Sequence, residues 1–353
     1  MTGLKSFLLF FLLCLVSCTT ERHHESLISR IGFGSCLKIE NSTEQLWDSI
    51  QSAKPNLFIF AGDNVYADSS DPAVLQKYYD KLGNDAGFRR LRSMVPLLAV
   101  YDDHDYGTND GGNENPIRDE AAKACLDFFG VPADDPRRKH KGLYGSYTYG
   151  PSGKRLQIIL LDTRYFREPL IKSTSPGRRY LPNTEPQATL LGKEQWLWLD
   201  KVLQEPADVR LIVSSIQVVP DKRGMESWGN FPLERSRLFG LIEKHKAGGV
   251  LFISGDAHFS EVSRYDAGVY PFYDITSSAM AHHHNTKDGK PTKFSNFPNE
   301  YRITGSDYTA GNFGLVSIDW QGKNSTVHIE LKNTAGKSYF SRSVKLSDLQ
   351  PGR

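Results

Sequence analysis

Apolar and polar positions along the chain fall into two alternating rhythms. Short unbroken apolar runs, RIGFGSC (30–36), NLFIF (56–60), VPLLAVY (95–101), VRLIVSSI (209–216) and GVLFISG (249–255), have the length and composition of buried strands. Between them lie stretches with helical spacing: 43–51 with Thr43 as a cap, 72–92 with Pro72 in the first turn, 117–130, 193–204 and 233–246. The segments 144–150 and 155–162 flank the turn PSGK and read as a strand pair. Beyond 255 the chain is mostly strand and loop, and 325–353 shows strands and a polar tail with no clear helix. This order predicts one continuous α/β domain with mixed sheets, without repeats or a low-complexity linker. Long polar stretches at 102–118, 165–192 and 280–312 are expected to be loops, the usual carriers of function.

The N-terminus departs from this rhythm. Lys5 precedes the apolar run FLLFFLLCLVSC (7–18), which is a secretory signal in form and too short to span a bilayer. Small residues before Cys18 resemble the bacterial lipobox, which predicts a lipoprotein-type signal peptide over 1–17, lipidation at Cys18, a tether over 18–28 and the folded domain over 29–353. The protein is thus expected to be exported to the periplasm or cell surface, held at the outer membrane by its lipid. Cleavage a few residues later, without a lipid, is the alternative.

Composition adds exclusions. The 353 residues are 39% hydrophobic and 11% aromatic, enough for a large core. With 43 basic and 41 acidic residues and a net charge of +2, no nucleic-acid-binding surface is evident. Of four cysteines, Cys14 and Cys18 belong to the targeting segment, Cys125 sits in a helical pattern as a small core residue, and Cys36 ends a strand.

The strand ends carry the chemistry. Each apolar run stops on hydrogen-bonding or ionisable residues: Ser35 and Cys36; Asp63, Asn64 and Tyr66; Asp102, Asp103, His104 and Asp105; Asp162 and Arg164; Ser215 and Gln217; Asp256 and His258. Ligands of α/β sheets bind at the carboxyl ends of strands, so these residues are expected to converge. Several carboxylates at one place repel unless a cation neutralises them. Asp63, Asp103, Asp256, His258, Tyr66 and Cys36 form a candidate metal shell, and its mixture of oxygen with thiolate, phenolate and imidazole donors points to two different metals. Asp102 reads as a supporting carboxylate. The run His282-His283-His284 reads as a solvated loop, and Trp228 as either core or a platform for substrate.

In GDNVY the chain resembles the Gly-Asp-x-x-Tyr motif of purple acid phosphatases. FGSC, GDNVYAD, DDHDYGTND, LDTRYF, SSIQ and SGDAHFSEVS, in that order, resemble the PhoD-like (alkaline phosphatase D) family of the metallophosphoesterase superfamily. The resemblance implies a four-layer α/β/β/α sandwich with two mixed sheets. It implies Fe3+ held by Cys36, Asp63, Tyr66 and His258, with Asp63 bridging to a second metal, Ca2+, on Asp103 and Asp256. It gives His104 the role of proton donor or phosphate anchor, makes Arg164 a clamp on phosphate oxygens, and puts Asn64 and Gln217 at the substrate. The implied activity is hydrolysis of small phosphate monoesters or diesters by in-line attack of a metal-activated hydroxide. A phosphodiesterase of the phospholipase D type on the same scaffold is one alternative; a non-catalytic surface lipoprotein that captures phosphate or metal is another. The chain departs from the family in having YDDHD for WDDHE and no N-terminal β-domain ahead of the Ser-Cys strand.

Overall fold

The computed structural model describes residues 22–284 and 298–352. The signal sequence, Cys18 and part of the 280–312 loop lie outside them. Two sheets make up the centre. The first has six strands, β2 (Arg30–Gly34), β3 (Leu57–Ala61), β4 (Leu97–Val100), β13 (Asn312–Asp319), β14 (Thr326–Asn333) and β15 (Ser338–Lys345), in the order β15-β14-β13-β2-β3-β4. The second has seven, β1 (Arg22–His24), β5 (Gly145–Tyr149), β6 (Leu156–Leu160), β9 (Val209–Ser214), β10 (Val250–Ser254), β11 (Ser260–Tyr265) and β12 (Phe272–Ser277), in the order β1-β5-β6-β9-β10-β12-β11. A separate hairpin, β7 (Ile171–Lys172) and β8 (Tyr180–Leu181), crosses the expected 165–192 loop.

The unbroken apolar runs explain why these strands lie inside. β2, β3 and β4 pair in parallel, as do β6, β9 and β10. Every residue of β3, β6, β9 and β10 is buried, as strands covered on both faces require. Outside the first sheet lie α1 (Glu44–Ser52), α2 (Pro72–Asn84), α3 (Ala86–Met94) and α4 (Arg118–Phe128). Phe60 of β3 meets Phe88 of α3 and Phe129 just after α4. Outside the second sheet lie α5 (Gly192–Val202) and α6 (Pro232–Lys244), with Phe239 of α6 against Phe252 and Phe272. The order is the four-layer sandwich that the resemblance implied.

The sequence expectations differ from the structure in detail. Thr43 caps α1 by accepting from the Leu46 amide, as expected. The helix expected over 72–92 is instead two, because Asp85 leaves helical geometry and caps α3 by accepting from the Phe88 amide at 2.8 Å. Residues 22–24, expected within the tether, form β1 and pair with β5. Trp228 is core: it is fully buried, donates to Ser214 Oγ at 3.0 Å and packs edge-on to Trp196.

Candidate metal centre

Parallel strands point their carboxyl ends one way, and here the ends of both sheets meet. Cys36, Asp63 and Asp103 follow β2, β3 and β4 of the six-stranded sheet, and Asp256 and His258 follow β10 of the seven-stranded one. A tight approach fixes the seam. A side chain on Gly255 would place a carbon 2.5 Å from the Ala61 carbonyl oxygen and 2.7 Å from Ser35 Oγ.

The chain bends sharply to bring these side chains inward. Eight non-glycine residues among those described have positive φ. Six of them are Cys36 (56°), Asp63 (51°), Asp256 (62°), His258 (58°) and the supporting residues Asp68 and Asp110. Each left-handed residue costs roughly 1–2 kcal/mol, so the clustering stores backbone strain where the donors converge.

The donors are close. Asp63 Oδ2 lies 3.3 Å from Cys36 Sγ and accepts from the Tyr66 hydroxyl at 3.2 Å; that hydroxyl is also 3.2 Å from His258 Nε2. Donor atoms of Cys36, Asp63 and His258 lie within 4.8 Å of one another, and so do those of Asp63, Asp103 and His104 and those of Asp102, Asp103 and Asp256. All six expected metal ligands are therefore brought together, and Asp102 joins them.

Electrostatics describe a strongly anionic centre. Burial, reinforced by Cys36 and by Asp103, Asp102 and Asp105, pushes the Asp63 carboxyl well above its usual range. Burial, with Asp102 and Asp103, does the same to Asp256. The Cys36 thiol is pushed up to about 12, chiefly by burial. His258 is held well below its usual value by burial and by His282, His284 and His104. Unlike the carboxyls of Asp63 and Asp256, that of Asp103 is lowered, since Arg164 and His104 outweigh its burial. Asp63 Oδ1 and Asp102 Oδ2 are buried without a hydrogen-bond partner among the described residues. Orphaned carboxylate oxygens, beside a thiol, a phenol and an imidazole, fit a cation and fit little else.

Around this centre the supporting residues sort themselves. His104 Nδ1 is bonded to Asp68 Oδ1 at 2.5 Å. Burial pushes His104 down, but Asp68 and Asp103 more than offset it and leave the ring above its usual value. Asp103 accepts from the His104 amide at 2.9 Å and the Asp110 amide at 2.6 Å.

Arg164 and Asn64 take positions other than those expected. The Arg164 guanidinium is wholly enclosed, donating to Asp102 Oδ1 at 2.6 Å and Glu226 Oε2 at 2.8 Å. Two carboxylates already balance its charge, so its visible work is to hold the Asp102 loop. The Asn64 amide turns from the opening, donating to the Val100 carbonyl and Asp105. It ties the loop after β3 to the loop after β4. Gln217 is buried, and donates to Glu261 Oε1 at 2.8 Å and Thr276 Oγ1 at 2.9 Å.

Sequence reasoning misplaced one group. Two of the 282–284 histidines are packed on the centre: His282 lies 4.2 Å from the His258 ring and edge-on to Tyr66 at 4.8 Å, and His284 lies 5.0 Å from His258. Their distance of more than twenty residues from the GDAH motif hid this, though three histidines in succession were the available signal.

Residues 31–327 match the model of the PhoD-like phosphatase family. The chain belongs to that family. Alkaline phosphatase D of Bacillus subtilis (strain 168) is 23% identical, with 65% of this chain and 46% of that protein covered. The chain thus spans about half the length of the curated relative it matches. Among solved structures, that of PhoD has a TM-score of 0.64 at 16% identity, covering 92% of this chain and 73% of that one. GAP50, described as the anchor in the inner membrane complex of Plasmodium, has a TM-score of 0.56 at 14% identity, covering 91% of this chain and 89% of that one. The fold of PhoD-like phosphatases is shared with a protein described as an anchor, so function has to be argued from the site.

Proposed function

We propose that this PhoD-like protein is a metal-dependent phosphoesterase. The observation that carries the reading is the pair of orphaned carboxylates at the seam, ringed by thiol, phenol and imidazole. Cys36, Asp63, Tyr66 and His258 would hold Fe3+, whose high charge suits anionic phenolate, carboxylate and thiolate donors beside an imidazole. Asp103 and Asp256, with Asp63 shared, would hold Ca2+, which takes oxygen donors. Bound there, the cations would offset charge on the phosphoryl oxygens and acidify water at the site.

The chain's own residues do the rest. His104 carries the proton for the leaving oxygen. Asp68 engages Nδ1, which leaves Nε2 as the ring's other proton site, and the raised basicity keeps the ring protonated to higher pH. Asp102, fixed by Arg164 and Ser215, holds the wall beside Asp103 and Asp256.

Small phosphate monoesters or diesters are the proposed substrates. A diesterase of the phospholipase D type would use the same centre, and rates on p-nitrophenyl phosphate and on bis-p-nitrophenyl phosphate separate the two. Export and attachment to the outer membrane through a lipid on Cys18 belong to the same proposal, supported by the N-terminal sequence.

The test is an absorption spectrum with elemental analysis of the same purified sample. A visible phenolate-to-iron band with iron and calcium present is the expected result. A colourless active protein holding zinc, manganese or magnesium would remove iron and keep the phosphoesterase. A protein that stays metal-free and inert after metal addition would refute the reading.

A further inference from the structure

We infer that Arg223, rather than Arg164, supplies the guanidinium that grips the substrate's phosphoryl oxygens. The inference rests on the phosphoesterase reading and names the residue that recognises its anion.

Arg223 lies in the connection between Gln217 and the buried Trp228 turn, and is only 7% exposed. Among the described residues two of its five N–H groups have acceptors, and both acceptors are neutral: Nη1 donates to Gln217 Oε1 at 2.9 Å and Nη2 to the Ala257 carbonyl at 3.4 Å. Nε is buried and has no acceptor among the described residues. The guanidinium stacks over the Phe259 ring at 4.9 Å. Burying a cation against neutral groups and an aromatic face is costly unless an anion completes it.

The location says which anion. Ala257 stands between Asp256 and His258, so Arg223 leans on the backbone of two candidate metal ligands. The carboxylates that act on it from a distance are Asp256, Glu261 and Glu226, the last already paired with Arg164 and Arg167. Glu261 is committed to Gln217, Asn299 and Arg302. Asp256 belongs to the carboxylate group with Asp102 and Asp103. Once a cation shares Asp256, Arg223 is left with no counter-charge of its own, beside the place where a phosphoryl group would sit. A planar fork with free N–H groups matches two phosphoryl oxygens. Arg164 also has one buried nitrogen, Nη2, without a hydrogen-bond partner among the described residues, but it differs in being paired directly with two carboxylates and wholly enclosed.

Gln217 then becomes a positioning residue. Its amide nitrogen is anchored by Glu261 and Thr276, and its oxygen holds Nη1 of Arg223. This explains why a buried glutamine closes the β9 strand end without turning to the opening.

The test uses metal-loaded protein. Calorimetric titration with inorganic phosphate is paired with KM and kcat on p-nitrophenyl phosphate and elemental analysis. Arg223→Gln is expected to weaken phosphate binding at least tenfold and raise KM by a similar factor, with metal content unchanged. Arg223→Lys should retain part of the affinity, and it replaces the glutamine variant if that one fails to fold. Gln217→Met should raise KM more than it lowers kcat. Phosphate affinity of Arg223→Gln, or of Arg223→Lys if that variant stands in, within twofold of wild type would overturn the inference. So would loss of metal together with phosphate, which would make Arg223 a support of the centre. A wild-type protein that neither hydrolyses phosphoesters nor binds phosphate would bring down the phosphoesterase reading, and this inference with it.

Discussion

Stripping the metals should make the protein less stable as the medium becomes more alkaline. Five buried carboxyls near the centre, Asp63, Asp102, Asp105, Glu226 and Asp256, are held above their ordinary values, each chiefly by burial. For a carboxyl raised in the folded state, the native protein binds more protons than the unfolded chain, so stability falls as pH rises towards the folded pKa. His104, raised as well, is stabilising below its usual value and loses that contribution as pH climbs, which has the same sign. His258, His282 and His284 are lowered and would oppose the trend, but only below about pH 6.5, where the unfolded chain takes up protons. The clean window is therefore pH 7 to 8.5. Asp105, pushed up to about 7, and Glu226, pushed up to about 8, lie in it. At 1.36 kcal/mol per pH unit of unequal protonation, Asp105 and Glu226 together contribute roughly 1–2 kcal/mol across the window, most of it from Glu226. That loss corresponds to a fall of roughly 2 °C in Tm for a chain of this size, and Asp63 and Asp256 add to it. The assay is differential scanning fluorimetry of chelated protein, repeated after metal is restored. Metal uptake requires deprotonated ligands, so the loaded protein should show the opposite slope. A Tm of the chelated protein that is flat or rises from pH 7 to 8.5 would sink the account of a strongly anionic centre.

Asp63→Asn preserves an acceptor for Tyr66 while removing a buried charge; turnover should fall by about a thousandfold or more, while the chelated variant melts no lower than chelated wild type at pH 8. His104→Ala should lower kcat by roughly 10²–10⁴ with metal content unchanged, as measured by steady-state kinetics and elemental analysis. Asp68→Asn removes the partner that raises His104, so the alkaline limb of the kcat profile should shift to lower pH. Gly87→Ala probes the scaffold alone: its new carbon would lie 2.0 Å from Trp47 Cδ1, and the overpacking should cost roughly 1–3 kcal/mol in denaturant unfolding without altering the active fraction's kcat.

Some of this molecule is legible in its sequence and some is not, for physical reasons. The buried strands announce themselves because parallel strands covered on both faces must be apolar throughout, and the polar residue that ends each run marks the strand tip. Asp63, Asp103 and Asp256 could be placed at one end of the sheets on that ground alone. The two arginines could not be told apart. Arg164 is enclosed because Glu226, sixty-two positions away, folds back to meet it, and Arg223 is left with neutral partners because Gln217 is turned towards it. Such matters are settled by tertiary approach, which no local pattern records. Asn64 followed a similar course, drawn away by Asp105. Short pieces such as β1 and the β7–β8 hairpin hold too few residues to show a period. The break at Asp85 did leave a trace, since Asn84-Asp85 is a capping pair within an otherwise helical run.

The donors at the seam come from both sheets: Cys36 and Asp63 from one, His258 from the other. An ion held by all three would rivet the two halves of the sandwich together at their open edge. Pulled from its ends, the loaded protein would then yield as a single mechanical unit, whereas the stripped protein could part along the seam first, one sheet peeling from the other.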